Sequence, residues 1–146
     1  MAGMLDFIEP SQIRIIPPGT SKHDALEILI EVLSRNPLIT DREVFRKAVF
    51  EREAVQSTGI GNGVAVPHVR IPEVLAPTIA LGVAPDGSDF AALDNYPVQI
   101  VVLFVTPIYG QEAYLILLAK VMVALRNPVG FNALACFCTV CDSVAL

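Results

Sequence analysis

The sequence predicts a three-layer α/β fold in a single domain. Stretches of helical period alternate with short apolar stretches of strand length, and clusters of Pro, Gly, Asn and Asp separate them. A chain of 146 residues is also the size of one compact core, which should bury about two-thirds of the unfolded surface.

In chain order, Ile13 to Ile16 reads as a short strand that Pro17-Pro18 ends. Ser21 with Asp24 resembles a capping signal for a helix through about Arg35, with Ala25, Leu26, Leu29 and Leu33 on one face. Thr40 and Glu43 cap a second helix in the same way; Val44, Ala48 and Val49 face inward and Arg52 lies at its end. A flexible glycine-rich loop, Thr58 to Gly63, then runs into the β-branched strand Val64-Ala65-Val66, which stops at Pro67 and presents His68. Thr78 to Val83 and Val98 to Val105 read as buried strands, with Asp86-Gly87-Ser88-Asp89 turning the chain into a polar connection through Asn95. Gln111 to Leu125 is an amphipathic helix with a wide apolar face, ended by Asn127-Pro128. There is no internal repeat or low-complexity segment.

Composition narrows the class. Hydrophobic residues make up 53% of the chain, and its mean hydropathy of +0.58 calls for a check on membrane spans. The best candidate, Ala113 to Leu125, is interrupted by Lys120 and falls short of the roughly 20 apolar residues that cross a bilayer. Pro107, Gly110, Gln111 and Glu112 break the run from Val98 to Leu118, so the chain is not expected to be membrane-embedded. A net charge of −5 with scattered basic residues disfavours nucleic acid as a partner. Met1 to Pro10 carries acidic residues and no long apolar core, so no secretory signal is visible and the expected location is cytoplasmic. Cys136, Cys138 and Cys141 lack a nearby histidine to complete a tetrahedral metal set; the expectation is buried reduced thiols and no metal.

The chain has two histidines. His23 sits in the first turn of a helix, between Lys22 and Asp24, and reads as a surface residue. His68 follows a glycine segment whose backbone N–H groups can turn toward an anion. No Lys-Ser/Thr follows the glycines, as a P-loop requires, and Val64 to Pro67 is extended where a dinucleotide loop would open a helix. The segment therefore serves the histidine, and no cofactor is expected.

Phe50-Glu51-Arg52-Glu53-Ala54 and the stretch Thr58-Gly59-Ile60-Gly61-Asn62-Gly63-Val64-Ala65-Val66-Pro67-His68 closely resemble the enzyme IIA domain of the bacterial phosphotransferase system, fructose/mannitol type. Within that family the likeness is to the free-standing nitrogen-regulatory branch. It extends more weakly over most of the chain and fades after about Asn127. The resemblance implies a mixed β-sheet covered by helices on both faces. It also implies that His68 accepts a phosphoryl group from a phosphohistidine carrier of the HPr or NPr type. The group would then pass to an enzyme IIB acceptor, or act on a regulatory target protein as a nitrogen or carbon signalling state.

The residue types suit that chemistry. An imidazole in water titrates near roughly 6.5, so histidine is a nucleophile that needs little activation. Phosphoryl transfer asks mainly for positioning and for donors to the equatorial oxygens. The Arg52 guanidinium offers planar paired donors, worth about 1.5 to 3 kcal/mol per charge-assisted bond, and Thr58 and the N–H groups from Gly59 to Gly63 are further candidates. Family members of this type usually carry a second histidine followed by Leu-x-x-Leu-Ala; here Tyr114 precedes Leu115, Leu118 and Ala119. A phenol can donate a hydrogen bond to phosphate but brings no positive charge. Val69-Arg70 follows His68, where a glycine is common.

Three uses stay open from sequence. The domain is a transfer intermediate, a regulatory module whose contacts follow its phosphorylation, or a degenerate binding module that is never phosphorylated. The lack of a fused transporter or cysteine-bearing acceptor domain in this sequence favours the second, and Tyr114 keeps the third in play.

Overall fold

The computed structural model describes residues 10–55, 59–61, 63–90 and 96–109, together with positions 116 and 119. A 3-10 turn, Pro10–Gln12, leads into strand β1, Ile13–Ile15, and the next amide, Ile16 N, still donates to Val83 O at 2.7 Å before the Pro17-Pro18 pair ends the extended run. Helix α1, Lys22–Ser34, starts where the sequence places it. Ser21 is extended (φ −69, ψ 161) and its Oγ accepts from Asp24 N at 3.1 Å, a cap worth about 1 kcal/mol. Ala25, Leu26, Leu29, Ile30, Val32 and Leu33 are buried along its inner face.

Helix α2, Arg42–Val55, departs from expectation in two details. Its N-cap is Asp41, whose Oδ1 accepts from Val44 N at 3.1 Å. Thr40 is occupied elsewhere, donating both its backbone N–H and its hydroxyl to Glu73 O. The inner stripe is Phe45, Val49 and Glu53, with Ala48 partly buried against the core, while Val44 is 37% exposed. One residue is about 100° of helix, so a stripe centred on Phe45 turns Val44 outward.

The strands are β2 (Gly59–Gly61), β3 (Val64–Ala65), β4 (His68–Arg70), β5 (Thr78–Ser88) and β6 (Val98–Thr106). Their order is β1-β5-β6-β3-β2, and β4 also pairs with β6, beyond β3 along the same side. Pairings of β1 with β5, β3 with β6 and β4 with β6 are parallel; β5 with β6 and β2 with β3 are antiparallel, so the sheet is mixed. The resemblance anticipates this arrangement.

Side chains alternate across the sheet. Ala65, Val69, Ala80, Val101, Leu103 and Val105 join the core formed with α1 and α2. Ile79, Leu81, Ile100, Val102 and Phe104 point the opposite way and are buried as well. A sheet buried on both faces is the middle layer of a three-layer α/β fold.

β5 is longer than the sequence suggests. Asp86-Gly87-Ser88 stays in the strand, and a bulge absorbs the surplus: Val83 pairs with Ile100 and Ser88 with Val98, five steps against two. Gly87 makes this possible with φ +82. Phe90, within the expected polar connection, is fully buried. Among the described residues no helix is long and apolar enough to cross a membrane. The helix expected from Gln111 and the three cysteines lie outside the described residues, apart from positions 116 and 119, which are helical.

Candidate functional site

His68 is the first residue of β4, not a loop residue beyond a strand end. The strand before it, β3, closes at Ala65, and Val66-Pro67 bridges the two. Both run parallel to β6, with Val64 beside Ile100 and His68 beside Phe104. Besides the β4–β6 ladder itself, a backbone bond closes each end of the strand containing His68: Phe104 N donates to Pro67 O at 2.9 Å, and Ile71 N donates to Thr106 O at 3.0 Å. Proline supplies the carbonyl and needs no partner for a missing N–H, which fits an outer strand.

The imidazole is part-buried, and its Nδ1 lies 2.8 Å from Val66 O. A carbonyl only accepts, so this contact assigns the proton to Nδ1 and leaves the lone pair on Nε2. The backbone thus presets which ring nitrogen keeps its lone pair.

The glycine segment is more ordered than a flexible loop. Gly59–Gly61 forms β2, antiparallel to β3, with an irregularity between Gly59 and Gly61. Gly63 turns the chain with φ +78, and its carbonyl accepts from Gln99 N at 2.7 Å and Ile100 N at 2.9 Å. The hairpin therefore seats the start of β3 on β6 and fixes the approach to His68. Gly59 is its first strand residue.

Arg52 lies in the last turn of α2, part-buried, next to the buried Glu53. Glu53 Oε2 is 2.6 Å from Lys22 Nζ, so an ion pair whose carboxylate is 5% exposed links the first turn of α1 to the last turn of α2. α2 packs against β4, and Val69 shares the core with Phe45 and Val49. Alternation puts His68 and Arg70 on the other side of that strand. α2 and the histidine strand are thus one packed unit, with Arg52 in the last turn of that helix. Thr58 and Tyr114, the other expected phosphate partners, lie outside the described residues.

Sequence reasoning missed Arg70. It stands two residues from His68 on the same face of β4, opposite Thr106 of β6, and its Nη2 donates to Ile108 O at 2.9 Å. The signal was present: if residues 68–70 are a strand, positions i and i+2 share a face. Reading Pro67 as the end of the extended run hid it.

Comparisons with known proteins agree with this layout. A family model described as phosphoenolpyruvate-dependent sugar phosphotransferase system, EIIA 2, matches residues 6–141, reaching past the point near Asn127 where the likeness fades in sequence. The chain is 32% identical over 111 residues to the PTS system fructose-specific EIIA component of Haloferax volcanii, covering 76% of this chain and 71% of that one. It is 30% identical over 125 residues to a nitrogen regulatory protein of Pseudomonas aeruginosa, covering 86% and 81%. A match of 31% identity to the fructose-specific EIIABC component of Bacillus subtilis covers 84% of this chain but 19% of that longer protein. Among solved structures, nitrogen regulatory protein IIA-Ntr from Neisseria meningitidis superposes with a TM-score of 0.80 at 25% identity, covering 89% of this chain and 88% of that one. The chain belongs to the EIIA 2 family of the phosphoenolpyruvate-dependent sugar phosphotransferase system.

Proposed function

We propose that His68 accepts a phosphoryl group at Nε2 from an HPr- or NPr-type phosphohistidine protein in the cytoplasm. The domain passes it to an enzyme IIB-type acceptor or holds it as a nitrogen or carbon signalling state. The observation that carries this reading is the 2.8 Å contact of Nδ1 with Val66 O, which leaves the lone pair on the outer nitrogen of the ring. Family membership supports a phosphocarrier or regulatory role. A relative solved as a complex of enzyme IIA-mannitol with phosphorylated enzyme IIB-mannitol shares the fold at 18% identity, TM-score 0.69, covering 82% of each chain.

The step balances simply. The Nε2 lone pair forms a new N–P bond while the N–P bond to the donor's imidazole breaks, and the donor ring keeps that bonding pair. The Nδ1 proton stays in place, so the product ring becomes cationic beside the transferred phosphoryl group. Val66 O, already accepting from Nδ1, meets that charge without moving. Arg52, in the last turn of α2, is the cation that would answer the opposite charge on the phosphoryl oxygens.

Intact-mass spectrometry tests this after incubation with phosphoenolpyruvate, enzyme I and a phosphorylated HPr-type carrier. Wild type gains one phosphate and His68→Ala gains none. Nitrogen-15 NMR of the adduct shows phosphorus coupled to Nε2. Arg52→Gln slows transfer by about 10- to 100-fold, the equivalent of losing roughly 1.5 to 3 kcal/mol of charge-assisted bonding, while the domain stays folded. No adduct on wild type with a demonstrably charged carrier would defeat the reading and leave a binding module.

A further inference from the structure

We infer that the ion pair of Lys22 with the buried Glu53 positions Arg52 for phosphoryl transfer, by fixing the last turn of α2 against the first turn of α1. The inference rests on the proposed role of Arg52 and adds what holds that residue in place. Lys22 and Glu53 are positioning residues, since neither is assigned a contact with the phosphoryl group.

The pattern of α2 makes Glu53 conspicuous. Its inner stripe runs Phe45, Val49, Glu53 at steps of four, and the first two pack into the core with Val69 of the histidine strand. An apolar side chain at position 53 would continue that stripe. Instead a carboxylate 5% exposed meets Lys22 Nζ at 2.6 Å, whereas the pairs Arg46–Glu27 and Lys47–Glu51 leave every partner at least 30% exposed. Lys22 is tied on a second side as well. Its Nζ stands 5.7 Å from the ring centroid of the fully buried Phe90, and two residues earlier Thr20 O accepts from Ser88 Oγ at 3.1 Å. The exit of β5, the start of α1 and the end of α2 therefore meet at one ammonium.

The pair does little for the helices that carry it. A cation at the N-terminus of α1 and an anion at the C-terminus of α2 each oppose the macrodipole of their own helix. Desolvation of a buried carboxylate also offsets most of what its attraction to an ammonium returns, so stability does not account for the pair. What a 2.6 Å contact supplies is a direction and a length. It acts at the turn where the last carbonyls of α2 lack an amide four residues on, which is where a helix frays. Arg52 precedes Glu53 in that turn, about 100° around the helix, so a fixed Glu53 sets the height and rotation at which Arg52 leaves the backbone. Phosphoryl transfer depends on such placement, and a displacement of about 1 Å can cost about 100-fold in rate.

Single-turnover transfer from phosphorylated HPr-type carrier tests the inference on wild type, Lys22→Arg, the double variant Lys22→Met/Glu53→Leu, Arg52→Gln, and the double variant combined with Arg52→Gln. The apolar pair is expected to keep or raise Tm, since packing replaces the ions. It should lower the maximal rate about tenfold, with the half-saturating carrier concentration within twofold of wild type. Lys22→Arg, which keeps a cation on the carboxylate, stays within about threefold. In the Arg52→Gln background the apolar pair should cost less than a further twofold, because the residue it would displace is already gone. A maximal rate within twofold of wild type overturns the inference, and so does a full tenfold loss on top of Arg52→Gln. Nitrogen-15 relaxation gives a readout independent of transfer: backbone order parameters at residues 52–55 of about 0.85 in wild type should fall below about 0.6 in the apolar pair. Equal order parameters overturn the inference. Should wild type take no phosphate, the proposed transfer fails on its own and these order parameters decide the positioning. Should the apolar pair not fold, Glu53→Gln takes its place in both measurements, with the same outcomes.

Discussion

Two side chains at the end of the histidine strand show how burial and function divide the same few residues. Val66 O sets the tautomer of His68 by a main-chain contact that survives substitution of the side chain at position 66, so the place of the imidazole proton is fixed by fold. His68 was legible because it is one of two histidines and the one that a glycine segment leads to. Arg70 was not, because its relation to His68 exists only once both are placed on one strand face. Opposite Arg70, Thr106 is 1% exposed, and among the described residues its Oγ1 has no hydrogen-bond partner. A buried hydroxyl without a partner costs about 1 to 3 kcal/mol, and valine fills the same volume without it. Thr106→Val should therefore stabilise the domain by about 1 kcal/mol, seen as a rise of about 3 °C in Tm. A lowered Tm in thermal denaturation would count against an idle hydroxyl.

The elements record where local signals suffice and where tertiary contacts decide. The Ser21 cap and the face of α1 read directly from sequence, because one capping residue stands before one apolar stripe. At α2, Thr40 and Asp41 are both capping types, and what separates them is Glu73 O, more than thirty positions away, which takes the Thr40 hydroxyl. Glycine disfavours strands, so Gly59–Gly61 reads as a loop until β3 and β6 supply the pairing. The bulge in β5 is the same kind of case. Asp86-Gly87-Ser88 has turn composition, yet the strand continues because Gly87 adopts φ +82 and lies against Pro97. An added Cβ would sit 2.6 Å from Pro97 Cβ, part of a rigid ring that cannot swing away. Left-handed backbone strain and overpacking together make Gly87→Ala lose about 2 to 4 kcal/mol, measurable as a shift of the urea midpoint at constant m-value. A midpoint within experimental error of wild type would mean the bulge relaxes freely.

At the scale of the molecule, alternating helices and strands announce an α/β fold, but not which strands are central. Strand order depends on contacts between distant segments, and the resemblance, not periodicity, supplied the mixed sheet. The outcome matters for the site. β5 and β6 lie at the centre, paired along most of their lengths and buried on both faces, whereas β4 has three residues and, among the described residues, pairs only with β6. A short outer strand opens by breaking a single ladder, so its opening free energy lies well below that of the central pair. Native-state hydrogen exchange should then show the amides of residues 69–71 exchanging at least tenfold faster than those of residues 80–82 and 101–103. Equal protection across the two groups would instead mean that the histidine strand opens only with the whole sheet. The expected order has a functional side, because a partner that covers His68 also covers this strand. Adding the carrier should slow exchange at residues 69–71 and leave the central strands unchanged, and that local protection reads docking even in a His68→Ala protein that cannot take the phosphate.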